Sequence, residues 1–241
     1  EYFQSKWKMS SQSFIPSQIP SPKNKLVVGK TKEEKQIALQ SYFDEPTPYH
    51  THAPENPSAK KLRFLGQTAL KEELLNEPKI LKTVNVIGRD YSDESLSYRD
   101  FKDIYTSSIE SLDEGDRQYQ KAAYALEKIS KEFFGNQPRK LYRVLGVPKR
   151  RFKLGKIKPG VELDVGFNFL SSWSADINIA RAFTYRGGGE KGIIVSKMVT
   201  PEEVIMIPVL TNSSPAKDFE GQKEVVIKSN VSRQNVIVEE I

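Results

Sequence analysis

Four short stretches of the chain carry residue types suited to chemistry on a charged ligand. In "RKLYRVLG", Arg143 stands inside a short apolar run between Tyr142 and Val144. A guanidinium there costs free energy unless it reaches water or grips an anion. Two readings fit: an edge strand that turns Arg143 to solvent, or a planar fork for a carboxylate or phosphate. In "FNFLSSWSADINIARAF", Phe167 and Phe169 alternate as on a strand, Ser172 and Ser174 share one face, and Trp173 takes the other. The serines read as a strand end with an ST-type turn. A hydrolase triad has little support, because there is no Gly-x-Ser-x-Gly elbow and neither histidine is near. In "RAFTYRGGGEKG", Arg186 opens a glycine loop that does not match the nucleotide-binding glycine fingerprints. In "FEGQKEVVIK", Gln222 and Glu224 lie two residues apart ahead of Val225, Val226 and Ile227, so on a strand both point to one side. Such a pair is either a strand rim or part of a site.

These residues need a scaffold, and the sequence outlines one. Residues 10–60 are rich in Ser and Pro and read as an extended, partly disordered arm with one short helix near "KEEKQIALQSYF". The opening "EYFQS" resembles the remnant of a cleavable tag, and Met9 is the expected native start. His50 and His52 lack the convergent ligands that a zinc site needs. From about 66 to 135 the pattern is helical. "TALKEELLN" is expected to end at Pro78 and "SYRDFKDIYTSSIESL" is a further helix. "DRQYQKAAYALEKISKEFFG" places Tyr119, Ala122, Leu126, Ile129 and Phe133 on one stripe, with Gly135 as its stop. Beyond Gly135 come short β-like segments: "RKLYRVLG", "VELDVGFNFLSSWS", "KGIIVSKMV", "EVIMIPVL", "KEVVIKS" and "NVIVEEI". One helix, near "DINIARAF", interrupts them. Helices followed by strands predict an α+β fold. The expected division is an arm over 1–60, a helical part over 61–135 and a β-rich core over 136–241.

Composition narrows the function classes. The 241 residues include no Cys, which excludes disulfides and thiolate metal sites, and no apolar run approaches the length of a membrane-spanning helix. The net charge of +6 suits an acidic protein surface, a phosphate-bearing ligand or nucleic acid. Nine basic residues fall between Arg139 and Lys158, a stretch that could track a phosphate backbone. A solvated loop and strand face explains most of them equally well.

Taken in order, the four stretches resemble the mono-ADP-ribosyltransferases of the arginine–serine–glutamate class. "LYR" is similar to the first motif of that class. "FLSSWS" is similar to its Ser-Thr-Ser motif, with Trp173 in place of the usual Thr. "AFTYRGGG" looks like the loop over the nicotinamide end of NAD, and "FEGQKEVVI" like the target-recognition turn, nearest to that of the Rho-modifying clostridial exoenzymes. The resemblance covers residues 135–241 and leaves the N-terminal half without a counterpart.

The resemblance implies a mixed β-sandwich-like core and a particular assignment of roles. Glu224 would be the catalytic carboxylate on the nicotinamide-side ribose, Ser172 would hold it, and Arg143 would clamp the pyrophosphate. Ser174, Phe183 and Arg186 would complete the NAD site, and Gln222 and Phe219 would read the acceptor. Gln rather than Glu at position 222 implies an acceptor other than arginine. NAD is the implied co-substrate, with no metal. A protein target is the expected partner and nucleic acid through 139–158 the alternative. A non-catalytic binding module on the same scaffold is the third reading. A monomer is expected, acting in the cytoplasm as a secreted or delivered bacterial toxin or effector, or as a phage protein.

Overall fold

The helices begin where the sequence supplies acceptors for their first free N–H groups. In the computed structural model, Thr31 opens α1 (Lys32–Asp44) with a capping box. The Glu34 N–H donates to Thr31 Oγ1 at 3.2 Å and the Thr31 N–H to Glu34 Oε2 at 3.0 Å. Ser97 caps α4 (Tyr98–Thr106) and Asp113 caps α5 (Glu114–Phe134). α5 stops at Gly135, whose φ of +88° suits a residue without Cβ. Between them lie α2 (Pro57–Glu73) and α3 (Pro78–Ser92). The structure describes residues 31–45, 57–75, 77–92, 97–148, 157–184, 190–211, 222–229 and 233–241.

Two helices differ from the sequence expectation. Pro78 does not merely end a helix; it opens α3, where its missing N–H costs nothing. The short helix expected near residues 32–43 is present as α1, but rather than lying in an extended arm it sends Leu39, Tyr42 and Phe43 into the core.

The second half supplies β1 (Arg139–Pro148), β2 (Glu162–Gly166), β3 (Leu170–Ser174), the short helix α6 (Ile177–Phe183), β4 (Glu190–Val199), β5 (Val204–Met206), β6 (Glu224–Lys228) and β7 (Arg233–Glu240). The fold is α+β. The strands form one seven-stranded antiparallel sheet in the order β2-β7-β4-β1-β3-β6-β5. "VELDVGFNFLSSWS" is therefore two strands far apart in the sheet, and Phe167 and Phe169 lie in the link between them rather than alternating on a strand.

α5 packs against β5, while α1 and α3 pack against α5; α6 covers β1 and β4. One continuous apolar core joins helices to sheet, with Leu62, Val84, Leu126, Leu141, Val195 and Val226 all inaccessible. Burial of this kind is the main force holding the layers together. Two glycines allow close approach. A Cβ on Gly66 of α2 would stand 2.8 Å from the Leu210 Cβ, and one on Gly88 of α3 would stand 2.5 Å from Thr211 Oγ1. Among the described residues no helix is long and apolar enough to cross a membrane.

Candidate active site

β3 and β6 pair so that Ser174 lies opposite Glu224 and Ser172 opposite Val226. Directly opposed residues share a face and alternate residues return to it. Ser172, Ser174 and Glu224 therefore stand on one face, at the end of β6 where the chain enters the strand. The other face carries Ser171, Trp173, Val225 and Ile227, all buried. Trp173 packs 5.5 Å from the Phe167 ring, and its indole N–H donates to Ser171 Oγ at 3.0 Å. The departure from a Ser-Thr-Ser pattern thus falls on the core side of β3, away from Glu224.

Glu224 is half-buried and takes two hydroxyl donors on one oxygen. Ser172 Oγ donates to Oε1, and Tyr91 Oη donates to the same atom at 3.0 Å. Burial pushes the Glu224 carboxyl above its ordinary value, against the two hydroxyl bonds and the Arg143 charge, which pull it down. The group is a poorly solvated carboxylate whose orientation is fixed from two sides.

Arg143 lies beside this pair. Its Nη1 donates to the Ser172 carbonyl oxygen at 2.7 Å, and its guanidinium sits 5.8 Å over the Phe167 ring. The charge on β1 is therefore neither stranded in the core nor turned away to solvent. It joins the strand that carries Ser172 and faces the carboxylate electrostatically.

Ser174 has a bracing task. Its Oγ donates to the Gln222 carbonyl at 2.8 Å and accepts from the Asp176 N–H at 3.1 Å. Gln222 is half-buried but does not continue the strand. β6 starts at Glu224, and Lys223 between them has φ +49°. The left-handed residue breaks the alternation on which a shared face for Gln222 and Glu224 was expected. Lys223 is also buried rather than turned outward, and its ammonium pairs with Asp176 at 3.1 Å. A left-handed non-glycine residue costs about 1 kcal/mol, so the turn holds this shape through its contacts.

Phe183 ends α6 and is half-buried. Arg186 and Phe219 lie outside the described residues, as do His50 and His52. The structure thus brings together Arg143, Ser172, Ser174 and Glu224, with Gln222 adjacent. Sequence reasoning missed Tyr91 and the burial of Lys223. Tyr91 was open to discovery, because Ile80, Val84, Ile87 and Tyr91 recur at helical spacing and are all buried. Among the described residues no group of three or more His, Cys, Asp or Glu could hold a metal ion.

No protein-family model and no curated protein sequence matches this chain. Among solved structures the chain is similar to the Vis toxin, an ADP-ribosyltransferase from Vibrio splendidus. The identity is 13% and the TM-score 0.33, over 83% of this chain and 90% of that one. The agmatine complex of Vis gives 14% identity and a TM-score of 0.29, over 79% and 89%.

Proposed function

We propose that the chain is an NAD-dependent mono-ADP-ribosyltransferase with Glu224 as its catalytic carboxylate. One observation carries this reading. Three residues that resemble the arginine–serine–glutamate set in sequence, and that come from β1, β3 and the start of β6, stand together with Ser172 on the Glu224 carboxylate and Arg143 on the Ser172 main chain.

The arrangement suits cleavage of the nicotinamide–ribose bond. That bond breaks with its electron pair leaving on nicotinamide, so positive charge develops on the ribose carbon and ring oxygen. A carboxylate fixed nearby stabilises this charge more in the transition state than in the ground state. Ser172 and Tyr91 both hold Oε1, and in this reading Oε2 takes the ribose hydroxyl. Arg143 supplies a guanidinium for the pyrophosphate, and the sequence resemblance gives Phe183 and Arg186 to the nicotinamide end. The acceptor then attacks the ribose carbon and releases its proton as the new bond forms. Gln222 offers an amide that both donates and accepts, which favours a non-arginine acceptor on a target protein, with Phe219 against its surface. The enzyme acts in the cytoplasm of a host cell, as a bacterial toxin or effector or as a phage protein.

A protein acceptor is preferred over nucleic acid because part of the basic stretch is engaged internally. Arg139 Nε donates to the Phe134 carbonyl at 3.1 Å, Lys140 pairs with Glu239 at 2.6 Å, and Arg143 belongs to the site.

The test is incubation with labelled NAD and candidate host lysates, followed by nuclease or protease digestion. Nicotinamide release and protease-sensitive label are expected. No nicotinamide release under any condition would refute the reading, and nuclease-sensitive label would move the acceptor to nucleic acid.

A further inference from the structure

We propose that Lys223 is a positioning residue, whose ammonium ties the catalytic turn to the C-terminal end of α1 and so fixes where Glu224 stands. This rests on the reading of Glu224 as the catalytic carboxylate.

Lys223 is only 2% exposed, and its Nζ meets three acceptors. It donates to the Phe43 carbonyl at 2.8 Å, to the Glu45 carbonyl, and to Asp176 Oδ2 at 3.1 Å. An ammonium has three protons to give, so this set satisfies it. The two carbonyls stand at the end of α1, where helix geometry leaves acceptors without intrahelical partners and the dipole is negative. α1 has no basic residue in its own last turn, so Lys223 supplies the missing cation from 178 residues away. The other Asp176 oxygen accepts from the Asn178 N–H at 2.9 Å and caps α6. Three elements, α1, α6 and the catalytic turn, therefore meet at one nitrogen.

The main chain follows the side chain. Lys223 is the one non-glycine residue with positive φ among those described, a conformation that survives where its surroundings over-determine it. Its carbonyl accepts from the Ala175 N–H at 3.1 Å. The Tyr42 hydroxyl, on α1, lies at the Lys223 main chain and within the field of Glu224. The far end of β6 has its own anchor, because Lys228 pairs with Glu127 of α5 at 2.6 Å. Loss of Lys223 would thus leave the strand paired and release the turn. The first residue displaced would be Glu224.

The experiment uses Lys223→Met in the full chain with NAD as the probe. Nicotinamide release is measured per NAD-binding site, counted by titration. The expected result is a fall in kcat of about 10- to 100-fold with the Kd for NAD little changed. A purely structural lysine would lower the number of binding sites and leave kcat per site at the wild-type value, and that outcome overturns the proposal. Asp176→Asn provides a second variant, since Asn still caps α6 while the charge partner is removed. It should lower kcat in the same direction, and an unchanged kcat counts against the brace. Hydrogen exchange at the amides of residues 223–225 reads the brace without catalysis: faster exchange in Lys223→Met is expected, and unchanged exchange overturns it. Absence of nicotinamide release from the wild type would instead sink the transferase reading.

Discussion

Tyr91 Oη lies 3.0 Å from Glu224 Oε1, across 133 residues of sequence. The bond joins the last turn of α3 to the first residue of β6. It makes the helical half a part of the site rather than a platform beneath it. A carboxylate that accepts from Ser172 alone could still swing about that contact; a second donor from another element removes this freedom.

Replacing Tyr91 with Phe keeps the buried ring and deletes only the hydroxyl. The expected loss is about tenfold in kcat, with NAD affinity preserved. The Tyr91 bond also lowers the Glu224 pKa, so its removal should move the acid limb of the rate profile to higher pH. A Tyr91→Phe enzyme with wild-type kcat and an unmoved acid limb would show that the bond does no positioning.

Glu224→Gln should reduce nicotinamide release by about 10²- to 10³-fold while NAD still binds. It should also stabilise the fold at neutral pH. Burial raises the Glu224 pKa in the folded state, so the native protein holds that proton to higher pH than the unfolded chain does. The associated stability is complete below the ordinary carboxylate range and is lost as pH rises through the folded pKa. Gln does not ionise and escapes that loss. Thermal melts should therefore place the variant above wild type near pH 7, with the gap closing as pH falls into the ordinary carboxylate range. A variant that melts lower than wild type at pH 7 contradicts this balance.

The sequence made the β-rich half legible because its chemistry is written locally. Arg143, Ser172 and Glu224 each sit in a short stretch whose neighbours announce a strand, and β3 and β6 then bring two of them onto one face. The helical contributions were harder to see. α3 contains Val84, Val86 and Ile87, and β-branched residues mask a helix. Its buried stripe places Tyr91 at the core edge, but no local pattern says that a strand 133 residues later begins there. The burial of Lys223 was hidden for a related reason. A lysine in a polar turn is ordinarily solvated, and only the end of α1, brought alongside by tertiary packing, supplies the carbonyls that bury it.

Gly88 tests how closely α3 must approach its neighbour. A Cβ there would fall 2.5 Å from Thr211 Oγ1, and Thr211 is fully buried with its hydroxyl donating to the Pro208 carbonyl at 2.8 Å. Gly88→Ala therefore forces α3 outward, at a cost of about 1–3 kcal/mol. Because Tyr91 follows one turn later on the same helix, activity should fall along with stability. Urea unfolding and nicotinamide release on the same preparation check both effects. A stabilised Gly88→Ala protein would mean that helix propensity outweighs the clash.

Glu127 anchors the opposite end of β6 and contributes to the acid tolerance of the fold. Its carboxylate pairs with Lys228 and with Lys131, each at 2.6 Å, and accepts from the Tyr105 hydroxyl. Burial alone would raise its pKa, but these three partners outweigh it and hold the carboxyl below the ordinary value. Such a group contributes stability above the unfolded-state pKa, and that contribution is lost as pH falls through the folded one. Glu127→Gln leaves Lys228 with its side chain only 16% exposed and its charge uncompensated, so a loss of about 3 kcal/mol is expected near neutral pH. The loss should narrow on acidification, because the wild-type carboxylate then protonates too. Adding Lys228→Met should restore most of the stability, since a neutral pair of similar volume carries no buried charge. Urea midpoints for the two single variants and the double variant across the acid range give the coupling directly, and additive effects would show that Glu127 and Lys228 do not act as a pair.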